Sequence, residues 1–244
     1  GQRMKSTSSG KTPYTSPFFD TADQGRKNWS AFVYFFWLWR CGGEILTDDL
    51  SAAAFNSQAG IDALTMLTDL VGEKQICAGD GYKESEFYNG NVGMIEMGNW
   101  SIPQLLSESR AADFNVTLLP KLKNNVPQYS GLGLFAMGVT AKTEHPQEAY
   151  DFIESYCTND SLQLQYAKQN NQLPCTTSAL NDSYYNNDIW KVYKEQYALS
   201  KSRPGVTNWD QIEAAVADAV NSAVKGTQTP KGALDAAAAK VNGY

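Results

Sequence analysis

The sequence predicts an α/β fold, and three observations carry that reading. Apolar residues recur at helical spacing in several long stretches, Ile61, Leu64, Leu67, Leu70 and Val71 forming the clearest set. Short apolar or β-branched runs stand between those stretches, "VGMIEM" from Val92 and "FNVTLLP" from Phe114 among them. Prolines and glycines punctuate the joins, so that helices and strands alternate along the chain with no internal repeat of fixed period.

The elements follow in order. Residues 1–28 are polar and rich in Ser, Thr, Lys and Pro, with "TPYTSPFF", Thr12 to Phe19, as their strand-like piece, and read as a frayed end leading into a loop. Trp29 to Arg40 reads as a buried helix broken by the paired glycines of "CGGE". Its apolar run, Ala31 to Trp39, falls well short of the roughly twenty residues a bilayer span requires. Ser57 is placed to cap the amphipathic helix that follows. "ESEFYNG" suits a short helix closed by Gly90, and "VGMIEM" a buried strand. Asn99 is positioned to cap the next helix and Pro103 is tolerated in a first turn, which sets Trp100 at or near a helix N-terminus.

Further along, "FNVTLLP" reads as a strand ended by Pro120, and "LFAMGVTAKT" as another after a loop. His145 to Cys157 has proline at a helix start and apolar residues at Ala149, Phe152, Ile153 and Tyr156. "DSLQLQYAKQNNQLP" adds a second helix. The chain ends in two more, the last with Thr229 and Pro230 at its cap and first position.

Composition narrows the function classes. With 244 residues the chain builds a core without a metal or disulfide staple. Lys+Arg 20 against Asp+Glu 26 gives a net charge of -6 with no long like-charge run, which argues against nucleic acid as a partner. An aromatic content of 12% beside a single His tilts the reading toward stacking surfaces and away from acid/base chemistry. The opening "GQRMKSTSSGKTP" has no apolar middle, so an export signal lies upstream or never existed. Cys41, Cys77, Cys157 and Cys175 form no CxxC or Cys/His cluster, so no metal site is expected; free thiols and one of three disulfide pairings both stay open.

Catalytic constellations are thin. His145 stands alone at an exposed helix start, and GxSxG, a phosphate-cradling loop with lysine and HExxH are all missing. Paired carboxylates near the Trp100 corner, Glu96 with Glu84 or Glu86, leave a glycoside hydrolase as the enzymatic alternative. The adjacent phenols Tyr184 and Tyr185 raise ferric iron, without a histidine or cationic clamp to support it. Trp29, Trp100 and Trp209 are a different signal, each at an element boundary among polar residues, "KNWSA", "GNWSI" and "TNWDQ". A tryptophan so placed stacks on the apolar face of a sugar ring, or else covers the end of the core.

The order of motifs resembles the C-terminal part of the extracellular solute-binding proteins of sugar ABC transporters, the group that includes maltose-binding protein. The resemblance runs through "FFWLWRCGGEIL", "FNSQAGIDALTMLTDLV", "FYNGNVGMIEMGNWSIPQL", "FNVTLLPKLKN", the stretch "GLGLFAMGVTAKTEHPQEAYDFIESYCTNDSLQLQYAKQNNQLPC" and "SRPGVTNWDQIEAAVADAVNSAVKGTQTPKGALDAAAAKVN", over about residues 29 to 244. Each motif is weak alone; their shared order and spacing are specific.

The resemblance implies a periplasmic-binding-protein-like fold of type II, with a mono- or oligosaccharide held by aromatic stacking in an interlobe cleft and delivered to ABC permease subunits. It implies no catalysis and no cofactor, and an extracytoplasmic place, in the periplasm or at the cell surface through an upstream lipid anchor. It carries the sugar-lining role to Trp100, Trp209 and Trp29, with Phe32 a neighbour, Asn99 a polar contact, and Gly131 and Gly133 in the stretch that recrosses the cleft. Residues 1–130 and 180–244 are then expected in the C-terminal lobe, and 131–179 in a segment of the N-terminal lobe with its hinge crossings. Most of that N-terminal lobe has no counterpart here. The segment is therefore expected to be an orphan that invites self-association. A ligand-binding domain in a signalling or engineered assembly is the remaining alternative.

Overall fold

The computed structural model describes residues 13–14, 28–77, 84–107 and 114–243. The chain divides into two compact units, residues 1–97, 119–132 and 199–244 in the first, and residues 98–118 and 133–198 in the second.

The first unit is built around the helix Trp29–Arg40. "WSAFVYFFWLWR" is apolar on all sides, and a helix of that kind is stable only when covered all round. Ser30, Ala31 and every residue from Val33 to Arg40 are buried. The cover comes from Gln58–Val71, Trp209–Val224 and Pro230–Val241, which pack on it or on one another. The alanines of Trp209–Val224 let that helix approach closely, Ala215, Ala217, Ala219 and Ala223 all being buried. Behind Arg40 the chain reverses through Gly42, whose φ of +85° disfavours any residue with a Cβ. Thr229 caps the last helix, its side chain accepting the Gly232 N–H, with Pro230 behind it.

Arg40 is the polar exception in this core. Its Nε donates to the Phe36 carbonyl at 3.2 Å, its Nη1 and Nη2 both reach the Glu96 carboxylate at 3.2 Å, and the guanidinium lies 4.9 Å from the centre of the Trp37 ring. A fully buried guanidinium needs such a set of acceptors. The pair anchors the end of "VGMIEM" to the aromatic helix.

The second unit has a smaller core, made by Ile102, Ala167, Tyr185 and Trp190. Its helices include Pro146–Thr158, Asp160–Asn170, Thr177–Leu180 and Asp188–Tyr197, and the last three have side-chain caps. Asn159, Thr176 and Asn187 each accept a backbone N–H from the turn they open. The Tyr184 and Tyr185 pair serves this core, not iron. Tyr185 is buried and donates to the Gln172 carbonyl at 3.0 Å, while Tyr184 lies edge-on to it beneath the ammonium of Lys168. Among the described residues no group of His, Cys, Asp and Glu is placed to hold a metal ion.

Helices appear where spacing predicts them; strands do not. The sheet among the described residues is a two-stranded parallel pair, Ser130–Gly131 beside Ser200–Lys201. The expected strands at 114–120 and 134–143 have no ladder, and "VGMIEM" shows only bridge residues at Val92 and Ile95. A strand exists only through the strand beside it. In 134–143 the absence leaves Leu134, Phe135, Met137 and Val139 exposed, Phe135 at 93%. The neighbouring helix Pro146–Thr158 has no buried residue, and its Tyr150 and Phe152 face outward. Of the early strand-like piece, Tyr14 pairs with Cys77, and all but Pro13 of the rest lies outside the described residues. No helix among the described residues is long and apolar enough to cross a membrane.

Candidate functional site

Four of the expected site residues meet in the first unit. Trp29 opens the aromatic helix, so its ring projects from the end of the core, 41% exposed and edge-on to Phe32 at 6.2 Å. Phe32 in turn lies edge-on to Phe36 at 4.4 Å. Gly131 sits against that second ring: a Cβ there would stand 2.0 Å from Phe36 Cε1, so only glycine lets the strand Ser130–Gly131 lie on it. Trp209 opens its own helix and packs on Phe35 at 5.5 Å. Its indole N–H is buried with no acceptor among the described residues. Ring bodies are covered from below while Trp29 stays exposed, which is the build of a stacking surface.

Arg203 joins the two tryptophan ends. Its guanidinium lies 5.9 Å from the Phe32 ring centre and 5.8 Å from that of Trp209. The Glu213 carboxylate, one helical turn beyond Trp209, holds it at 3.3 Å. Sequence reasoning passed over Arg203, which lies in the loop "SRPGVTNW". No spacing rule marks it, because its partners come from two helices far apart in the chain. Lys201, two residues earlier, is held by Glu44 and points at the rings of Tyr129 and Trp39, at 5.1 and 5.8 Å.

Trp100, Asn99 and Gly133 belong to the second unit. The expected cap is realised differently: Gly98 takes the cap position, Asn99–Ser101 forms a 3₁₀ turn, and Ile102–Ser107 continues as α-helix with Pro103 in its first turn. The Asn99 amide is thereby released to tie the corner down, donating to the Asn171 carbonyl at 2.6 Å. Tyr193 fixes the same corner from the other side, its hydroxyl donating to the Gly98 carbonyl at 3.3 Å. The Trp100 ring folds over Gly98, where a Cβ would fall 2.0 Å from Cζ3, and remains 47% exposed. The glycine two positions before the tryptophan is the sequence signal for this geometry. Gly133 has open space about it, with nothing within 4 Å of a Cβ.

The carboxylates of the enzymatic alternative are engaged elsewhere. Glu96 is bound to Arg40, Glu84 accepts from the Tyr88 hydroxyl at 2.8 Å, and Glu86 accepts from the Asn91 amide at 2.6 Å. The Arg40 guanidinium occupies both Glu96 oxygens, Oε1 at 3.2 Å and Oε2 at 3.4 Å. His145 stands at the exposed helix start with Glu148 at 3.7 Å, its backbone N–H donating to the Thr143 hydroxyl at 3.2 Å.

Comparison with known proteins gives these surfaces a setting. The profile of a family described as bacterial extracellular solute-binding protein matches residues 7–198. A galactooligosaccharide-binding protein of Bacillus subtilis (strain 168) is 24% identical over 161 residues, which are 66% of this chain and 38% of that protein. Among solved structures, an ABC transporter solute-binding protein of Thermotoga lettingae TMO, bound with α-D-tagatose, matches with a TM-score of 0.78 at 22% identity, covering 95% of this chain and 59% of that one. The cyclic α-maltosyl-1,6-maltose binding protein of Arthrobacter globiformis matches with a TM-score of 0.74 at 25% identity, covering 96% of this chain and 60% of the other. This chain thus spans between 38% and 60% of the length of these three relatives. Its fold is the α/β fold of type II periplasmic-binding-protein-like sugar binders, of which it represents a part. With the profile matching more than half of its residues, the chain belongs to the bacterial extracellular solute-binding proteins.

Proposed function

We propose that this chain is the sugar-holding part of an ABC importer's receptor, binding a mono- or oligosaccharide without chemical conversion. The observation that carries the reading is the linked set Trp29, Phe32, Arg203 and Trp209, whose rings present stacking area beside a guanidinium. A pyranose or furanose ring offers an apolar face to such aromatics and hydroxyls to such donors. Trp100, fastened on Gly98 and half exposed, supplies a second stacking surface of the same kind. The relatives' ligands, tagatose and a cyclic maltose tetrasaccharide among them, support the substrate class. Family membership gives an extracytoplasmic place. Permease subunits follow as partners from the transporter role of the relative in Thermotoga lettingae.

Residues 131–179 are the returning segment of an N-terminal lobe in this reading, and their exposed apolar side chains await a sheet. Exposed apolar side chains of this kind are a surface through which two copies can associate. A calorimetric screen of monosaccharides and oligosaccharides on the protein as the cell makes it tests the function: a saccharide binding with micromolar or tighter affinity is expected. Glycoside turnover by that protein would replace the receptor by the hydrolase.

A further inference from the structure

The four cysteines divide by place. Cys41 and Cys77 are buried in the first unit, whereas Cys157 and Cys175 are exposed in the second. Burial pushes the Cys41 thiol's pKa up and makes it inert, so the reactive pair is the exposed one. Cys157 lies in the last turn of Pro146–Thr158, and Cys175 just before the short helix Thr177–Leu180.

Side-chain ties hold the two cysteine backbones side by side. Gln163, a buried polar residue of Asp160–Asn170, donates from Nε2 to the Tyr156 carbonyl at 2.9 Å and accepts the Cys175 N–H at Oε1 at 3.3 Å. The Tyr156 carbonyl belongs to the peptide bond that leads into Cys157, so one carboxamide spans from the backbone of one cysteine to that of the other. On the far side, Thr176 and Ser178 hydrogen-bond the Asp160 carboxyl, three residues past Cys157 and next to Cys175. The Tyr156 phenol, whose pKa is raised by desolvation first, is raised further by Tyr166 and by both thiols.

We propose that Cys157 and Cys175 form a disulfide in the extracytoplasmic compartment. Either cysteine, as thiolate, attacks the S–S bond of a small-molecule or protein disulfide, giving a mixed disulfide and one released thiol. The second thiolate then attacks the protein sulfur of that bond and expels the other thiol. Two protein thiols are oxidised, the disulfide they attack is reduced to two thiols, and the two protons end on those thiols. The bond has work to do, because Pro146–Thr158 buries no residue of its own.

The test uses the purified chain with oxidised glutathione as the probe, followed by alkylation in denaturant and peptide mapping. A peptide pair joined through Cys157 and Cys175 is expected, with titratable thiols falling from four to two. Reduction should lower the thermal midpoint of the wild type by several degrees and leave Cys157→Ser and Cys175→Ser unmoved; both positions are exposed, so both variants fold. Separate glutathione adducts on the two cysteines, a bridge between two copies, or a bridge to Cys41 or Cys77 would each overturn the proposal. A joined peptide with no thermal difference on reduction would overturn the stapling role.

Discussion

At the scale of single residues, exposed and buried aromatics have separate tasks, and substitutions divide them. Trp100 is half exposed on a corner fixed by Tyr193 and Asn99, so Trp100→Ala removes a stacking face and little packing. Saccharide affinity should fall about tenfold or more, roughly 1.4 kcal/mol, by calorimetry, with an unchanged thermal midpoint. Gly131→Ala behaves in the opposite way, since the added Cβ meets Phe36 at 2.0 Å and either ring or strand must move. It should destabilise by about 1–3 kcal/mol in urea unfolding. Glu96→Gln leaves the Arg40 guanidinium buried without its counter-charge, and about 3–5 kcal/mol should be lost in the same measurement. The tryptophans were legible in the sequence because each stands among polar residues at a boundary. Arg203 was not, because a cation over two rings is a fact of tertiary packing and leaves no local pattern.

At the scale of elements, the sequence told helices well and strands poorly. The apolar spacing of Gln58–Val71 and the Thr229–Pro230 start are local properties, readable within one or two turns. "FNVTLLP" and "LFAMGVTAKT" have strand composition, yet a ladder needs a neighbour that the described residues do not supply. Caps and ion pairs govern how the second unit responds to acid. Thr176 and Ser178 hold the Asp160 carboxyl below its usual range, and Lys168 does the same for Asp182. A carboxyl whose folded pKa is depressed adds stability that is present above its unfolded value and is lost as pH falls through the folded one. The stability of this unit should therefore decline below about pH 4. In Asp160→Asn with Asp182→Asn the acid limb should be shallower, from a lower neutral plateau, as followed by circular dichroism.

At the scale of the whole molecule, the two units differ in completeness. The first has a continuous core from Ala31 to Val241, while the second leaves Leu134, Phe135, Tyr150 and Phe152 exposed around a small one. Sedimentation at micromolar concentration should show the isolated chain self-associating. Phe135→Lys with Phe152→Lys should return it to a monomer without unfolding it, since both rings are exposed and Phe152 stacks on Tyr156 of its own helix. The family and the fold class were legible because the motifs keep their order across the chain; the ligand was not, because stacking tolerates many sugars. The central claim is that the tryptophans hold a saccharide. Calorimetry of the protein as the cell makes it, wild type beside Trp100→Ala and Trp209→Ala, tests this most directly. A saccharide bound by the wild type and weakened at least tenfold in both variants is the predicted result. Full affinity retained in both variants, or no saccharide bound by the wild type, would contradict it.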